Sequence, residues 1–188
     1  MHQSSRHVLI GLGSNVTGRW GDPLTTLQTA LIKLDLSGIH VEVVSDLLRT
    51  QPIGGGRQLS YLNAVALVKQ SMGATALLRT LKGIERQSGR RLGQHWGPRT
   101  LDLDILADGA VTDWNGRRAR RSGQLTVPHP EMHRRAFVLV PLRQVAPFWV
   151  HPALNRSVTM LLQQPSVQRQ LHGLRPIDAK LRPRRGGT

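Results

Sequence analysis

Apolar residues recur along this chain with two different periods, and the switches between them mark out its elements. "RHVLIGLGSN" is a short apolar run closing on Gly13-Ser14-Asn15, which predicts a strand over residues 7 to 12 and a turn after it. From Asp22 the period lengthens. An acidic cap, Pro23 at the first helical position and Leu24, Leu27, Leu31 and Leu34 on one face predict an amphipathic helix ending before Gly38. "IHVEVVSDLL" alternates again and predicts a second strand from about Ile39 to Leu48. Pro52 and three glycines break the pattern in "TQPIGGGRQLS", the signature of a mobile loop. "YLNAVALVK" predicts a third strand, and Leu77, Leu81 and Ile84 share the apolar face of a second helix that closes at Gly89. After a loop, "RRLGQHWGP", comes "TLDLDILA" as a fourth strand and, beyond the basic insert "WNGRRARRSG", "RAFVLVPL" as a further one.

The order strand, helix, strand, strand, helix, strand implies an α+β fold, a ferredoxin-like plait with helices packed on the faces of a mainly antiparallel sheet. One domain is expected over residues 1–164. After Pro165 the periodicity dissolves, and "LRPIDAKLRPRRGGT" reads as a basic, partly disordered tail over 165–188. The chain of 188 residues, 39% of them apolar, is long enough to bury one core. It has no cysteine, which excludes disulfides and thiolate metal sites. No run reaches the roughly 18 apolar residues of a membrane span, and "VLIGLG" is too short for a signal-peptide core, so a cytoplasmic location is expected.

Charge changes the picture. There are 26 Lys plus Arg against 11 Asp plus Glu, a formal net charge of +15, which attracts polyanions such as nucleic acid or a nucleoside polyphosphate. Against that background "WGPRTLDLDIL" stands out. In a strand Leu101, Leu103 and Ile105 share one face, and Asp102 and Asp104 share the other. Two like charges about 6 to 7 Å apart repel by about 2 to 3 kcal/mol at an effective dielectric near 20. Either the pair lies on an exposed face screened by water and arginine, or it holds hard cations, which prefer oxygen ligands and keep room for phosphate. Arg99, three residues before Asp102, and the loop residues Arg90 and Arg91 bring guanidinium groups to the same end of the strand. That is the combination phosphoryl-type transfer needs. The usual phosphate loops are absent: "GLGSNV" has Val16 where a dinucleotide fingerprint needs glycine, and no G-K-[ST] occurs.

"WGPRTLDLDIL" closely resembles the signature of the 6-hydroxymethyl-7,8-dihydropterin pyrophosphokinase family. "GLGSN", "RTQPIG", "YLNAV", "IERQSGR" and "LTVPHPEMHRRAFVLVPL" extend the resemblance, in order, over about Arg6 to Leu162. It implies the same ferredoxin-like fold and transfer of pyrophosphate from ATP to the hydroxymethyl group of the pterin in folate biosynthesis, with release of AMP. It also implies two Mg²⁺ ions held by Asp102 and Asp104. Thr50, Pro52, Ile53, Tyr61, Asn63, Trp96 and Phe137 would bind the pterin, since a flat heterocycle gains from aromatic walls and an amide partner. Glu85, Arg99, Ile105 through its backbone, Thr126, His129 and Arg135 would bind ATP. Arg90 and Arg99 would act on the transferred group, with Arg90 closing over the phosphates, and Gly13, Ser14 and Asn15 would shape the supporting turn.

The match has departures. The stretch from Glu85 to Trp96 is about one residue shorter than in comparable members, which leaves open whether Arg90 or Arg91 supplies a second loop arginine. Gln124 stands where a basic residue can occur, and Pro130 where an aromatic can. "RRARR" has no counterpart. The partners implied are the two small substrates, with no specific nucleic acid, no membrane, and a monomer. An RNA-recognition domain of the same fold predicts aromatic residues on its central strands. With seven Phe, Trp and Tyr residues and no matching strand motif, the chain does not fit that class.

Overall fold

A computed structural model describes residues 5–51, 59–90, 99–109 and 125–183. Strand β1 (Arg6–Ser14) is flanked by β4 (Tyr61–Gln70) and β5 (Asp102–Asp108), both antiparallel to it. β4 also carries β2 (His40–Val44) and β3 (Leu48–Thr50) along its other side. The outermost strand is β8 (Leu174–Pro176), giving the order β5, β1, β4, β3, β8.

Helices α1 (Pro23–Leu36) and α2 (Ala74–Gln87) close one face of this sheet. Asp22 caps α1 by accepting the Thr25 amide at 2.9 Å, and Pro23 stands in its first turn, as the sequence predicts. Leu27, Leu31 and Leu34 from α1 and Leu77, Leu81 and Ile84 from α2 pack on Val8, Ile10, Leu12, Ala66, Leu103 and Ile105. The opposite face meets α3 (Ala136–Val145), α4 (Val158–Leu162) and α5 (Pro165–Leu171), where Leu9, Val65 and Leu106 pack under Leu139, Leu142 and Leu161. The 3-10 turn Met132–Arg134 leads into α3, and the short hairpin β6 (Val150–His151) and β7 (Arg156–Ser157) connects α3 to α4.

Three sequence expectations change. "RAFVLVPL" is not a strand: it forms most of α3, with Ala136, Val138, Leu139, Leu142 and Val145 buried and Pro141 inside the helix. A continuous apolar run fits a buried strand and a buried helix equally, and here covering the sheet decides for the helix. The strand expected over Ile39 to Leu48 is two, because Ser45 interrupts it. Its Oγ takes the Val65 amide at 3.0 Å while its own amide bonds the Val65 carbonyl at 2.9 Å. A side chain thus replaces one rung of the ladder, and the chain shifts from pairing Ala66 to Lys69 to pairing Tyr61 to Asn63. The tail expected after Pro165 is ordered through residue 183. α5 buries Val167, β8 pairs with β3, Leu181 is buried, and Gln28 exchanges two hydrogen bonds with the Arg182 backbone, at 2.7 and 3.0 Å.

Candidate active site

Among the described residues β5 is an edge strand, and side chains of α2 and of Arg90 just after it, rather than another strand, satisfy its outer backbone. Glu85 Oε1 accepts the Leu103 amide at 2.8 Å, Lys82 Nζ donates to the Leu103 carbonyl at 3.3 Å, and Arg90 Nη1 to the Leu101 carbonyl at 3.2 Å. Side chains do the work of a neighbouring strand and close the edge to further pairing.

The alternation along β5 falls as its sequence requires. Leu101, Leu103 and Ile105 are buried against α1 and α2, while Asp102 and Asp104 project from the other face, half-buried. Register sets them opposite Gly13 and Gly11 of β1, whose partners on β4 are Asn63 and Val65. The two glycines leave bare backbone as a floor. A Cβ at Gly13 would stand 3.4 Å from Asn63 Oδ1 and 3.7 Å from the Asp102 Cβ, within the space above that floor. Phe137 and Val138, in the first turn of α3, form a wall, and beyond them the helical layer leaves the sheet open. The resulting cleft is lined by Gly11, Gly13, Thr50, Gln51, Tyr61, Asn63, Arg99, Asp102, Asp104, His129, Arg135, Phe137 and Val138.

Its two ends differ in chemistry. At one end Asn63 Nδ2 donates to Thr50 Oγ1 at 2.8 Å, which fixes the amide and leaves its oxygen directed across the floor toward Gly13. Phe137 walls this end. The Arg135 guanidinium, 5.8 Å from its ring centroid, also acts on His129, and the Tyr61 phenol, whose pKa burial raises, feels Arg99 and Asp102, so Arg135 and Tyr61 join the ends. At the other end Arg90 Nη1 lies 2.6 Å from Asp102 Oδ1, and Arg99 Nη1 bonds Asp102 Oδ2. Burial alone would raise the Asp102 pKa, but Arg99 and Arg90 overcome it and hold the carboxyl below the usual range. Asp104 has no ion pair within 4 Å among the described residues.

Arg99 is placed from below. Its amide donates to Asn15 Oδ1 at 2.8 Å, its carbonyl accepts the Asn15 amide at 3.1 Å, and Asn15 Nδ2 donates to the Leu59 carbonyl at 3.1 Å. Ser14 Oγ donates to the Thr100 carbonyl at 2.5 Å. The Gly13-Ser14-Asn15 stretch therefore supports the site, although Gly13 and Ser14 still belong to β1. His129 is anchored by its amide on the Leu106 carbonyl at 2.8 Å, and its Nδ1 accepts the Glu131 amide at 3.2 Å. With Nδ1 an acceptor, the neutral ring carries its proton on Nε2 as a donor. Burial lowers its pKa, against the pull of Asp104, and so favours that neutral form.

The structure gathers Thr50, Tyr61, Asn63, Arg99, Asp102, Asp104, His129, Arg135 and Phe137 around one cleft. Arg90 reaches it only through Asp102. Glu85 is 3% exposed and stands behind the edge strand, outside the cleft lining, as do Thr126 and the buried side chain of Ile105. Pro52, Ile53 and Trp96, with Arg91, Gln124 and the "RRARR" insert, lie outside the described residues. Sequence reasoning missed the floor glycines and Lys82. The first were legible, since glycines two apart on a strand bare one face. Lys82 was not, because only the packing of α2 on β5 gives it a function. Among the described residues no three or more His, Cys, Asp or Glu side chains are grouped to hold a metal. Two carboxylates open to solvent and to phosphate oxygens nevertheless suit Mg²⁺, which keeps several waters and binds few protein ligands.

Residues 9–147 match the family model of 7,8-dihydro-6-hydroxymethylpterin-pyrophosphokinase (HPPK). The chain is 38% identical over 163 residues to a 2-amino-4-hydroxy-6-hydroxymethyldihydropteridine pyrophosphokinase of Synechocystis, covering 86% of this chain and 77% of that protein. It is 38% identical over 156 residues to the enzyme of the same name from Haemophilus influenzae, covering 82% and 90%. Among solved structures, a Plasmodium falciparum HPPK-DHPS triple mutant with pteroate superposes with a TM-score of 0.66 at 13% identity, over 92% of this chain. This chain spans 47% of that longer one, and the likeness concerns the fold. With an acid pair, arginines and an amide gathered on one bared sheet face, and with a family match over most of its length, the chain belongs to the 7,8-dihydro-6-hydroxymethylpterin-pyrophosphokinase family.

Proposed function

We propose that the cleft above Gly11 and Gly13 is where this pyrophosphokinase transfers the pyrophosphoryl group of ATP to 6-hydroxymethyl-7,8-dihydropterin, its family's step in folate biosynthesis. The observation that carries this assignment is the division of one cleft into an amide and aromatic end and a carboxylate and guanidinium end. The pterin belongs at the first. Asn63, with its orientation set by Thr50, meets the polar edge of the heterocycle, and Phe137 supplies an aromatic wall, to which the family resemblance adds Trp96, Pro52 and Ile53.

The triphosphate belongs at the second end. Asp102 and Asp104 would hold two Mg²⁺ ions, and these would neutralise phosphate charge and polarise the attacked phosphorus. Arg99, fixed at its backbone by Asn15, donates to phosphate oxygens. Nε2 of His129 donates as a neutral ring, and Arg135 adds charge from the start of α3. The outer backbone of β5 at Ile105, next to the rungs that α2 occupies, can read a base edge, and Thr126, three residues before His129, joins it in ATP binding. The pterin hydroxyl then faces the β phosphorus, and bond formation there expels AMP. Catalysis rests on positioning and charge stabilisation, since every group named binds or orients.

The products decide. Incubating the protein with ATP, Mg²⁺ and the pterin is expected to yield AMP and the pterin methyl diphosphate. Formation of ADP, or absence of turnover by folded protein, overturns the assignment. We also propose that the enzyme acts as a monomer in the cytoplasm, which sedimentation and cell fractionation test.

A further inference from the structure

In the described structure both oxygens of Asp102 accept from arginines, Oδ1 from Arg90 and Oδ2 from Arg99. A divalent cation at Asp102 competes with guanidinium groups for the same lone pairs, and like charges at that range repel. At least one arginine has to withdraw. Arg99 is tied at its backbone to Asn15 and lines the cleft, where phosphate would receive it. Arg90 does not line the cleft, but it already has a second carboxylate partner: Glu85 Oε1 forms an ion pair at 2.6 Å with the same Nη1 whose hydrogen bonds go to Asp102 Oδ1 and the Leu101 carbonyl. Glu85 cannot swing away, because it is 3% exposed and held by the Leu103 amide at 2.8 Å and by Lys82 at 2.7 Å. Lys82 in turn is anchored on the Leu103 carbonyl, so it competes with Arg90 for one carboxylate oxygen.

We propose that Glu85 is a positioning residue that receives Arg90 when a divalent cation takes Asp102, and that Lys82 sets how tightly Glu85 holds it. This rests on the metal role assigned to Asp102 above. Arg90 then slides between two fixed carboxylates on either side of the edge strand, without leaving the site. Glu85 thus governs metal affinity from behind the edge strand, outside the cleft lining.

The test is a double-mutant cycle read by Mn²⁺ binding to the full chain with α,β-methylene-ATP, which blocks turnover. Free Mn²⁺ is followed by electron paramagnetic resonance. Glu85→Gln keeps an acceptor for the Leu103 amide but loses the charge that draws Arg90. It is expected to weaken Mn²⁺ binding about tenfold in the native background and less than about twofold in Arg90→Met. Arg90→Met alone is expected to bind Mn²⁺ more tightly. Lys82→Met frees Glu85 for Arg90 and is expected to tighten binding about threefold, again only where Arg90 is present. Equal losses from Glu85→Gln with and without Arg90 would show a general charge effect and overturn the proposal. Mn²⁺ binding unchanged in Asp102→Asn is the separate result that would remove the metal role on which it rests.

Discussion

The two faces of the central sheet are built from the same strands and do opposite things. Under α1 and α2 the middle of the sheet is apolar and filled, from Val8, Ile10 and Leu12 to Leu103 and Ile105. On the other face the apolar cover under α3, α4 and α5 stops at the first turn of α3, and past it the strands present glycine backbone, an amide and two carboxylates. The difference shows how period-two alternation divides labour in a small domain. One face supplies the free energy that holds the strands in register, which frees the other to carry groups that lower stability when unliganded.

Substitutions on β5 break the comparison most sharply. Asp104→Asn and Asp102→Asn are expected to reduce AMP formation about a thousandfold or more, because each would lose a ligand of the proposed metal site and with it charge stabilisation of the transition state. Asp104→Asn should keep a melting temperature near that of the parent in a thermal scan, and Asp102→Asn, which gives up its pairs with Arg90 and Arg99, should lose a little. Leu103→Ala, one residue between them and facing the other way, should do the reverse: a loss of about 2 to 5 kcal/mol in urea unfolding, with turnover retained at permissive temperature. Equivalent phenotypes at 102, 103 and 104 would mean that the faces are not separable.

Smaller effects sharpen the distinction within the cleft. Asn63→Leu is expected to raise KM for the pterin about tenfold while leaving KM for ATP within about twofold, measured by steady-state kinetics, since a lost amide partner costs about 1 to 2 kcal/mol. Gly13→Val should reduce both pterin and nucleotide binding in calorimetry, because its side chain rises from the floor between Asn63 and Asp102.

The least effect is expected beneath the closed part of this face. His151, fully buried, stacks edge-on against Trp149 and His133, and burial together with His133 lowers its pKa to about 4. The unfolded chain takes up that proton near pH 6.5, while the folded chain resists until about pH 4. Its contribution to stability is therefore complete above pH 6.5 and lost progressively as pH falls toward 4. Urea midpoints followed across that window should decline in the parent and flatten in His151→Gln, with kcat at neutral pH unaffected.

What the sequence disclosed follows from which forces are local. Asp22 with Pro23, the leucines of α1 and α2, and the alternation of β5 are readable because capping and periodicity act within a few residues. α3 was not, since Phe137 to Leu142 is apolar all along and only the sheet beneath it chooses the helix. Ser45 was not, because its hydroxyl matters through Val65, twenty residues away. Within the site, residues on strands came with their facing fixed by parity. Glu85 did not: only the packing of α2 on β5 adds its bond to the Leu103 amide behind the strand to the nucleotide role that the motif implies. Segment 165–183 was misread for a related reason. A three-residue strand such as β8 has no signature of its own and exists because β3 offers an unpaired edge.

That last strand makes the end of the chain a mechanical handle on the site. β8 bonds to β3 with Leu174 opposite Thr50, and Thr50 orients Asn63. Ile177 bonds the Leu47 carbonyl, Lys180 pairs with Asp46, and Arg182 is tied to Gln28, so the segment is laced to both the sheet and α1. Shortening the chain before Leu174, or attaching a rigid partner there, would act on pterin selection from outside the cleft. A linker joined after residue 183 would keep every bond named here, and a fusion made there is expected to retain the parent's KM for the pterin.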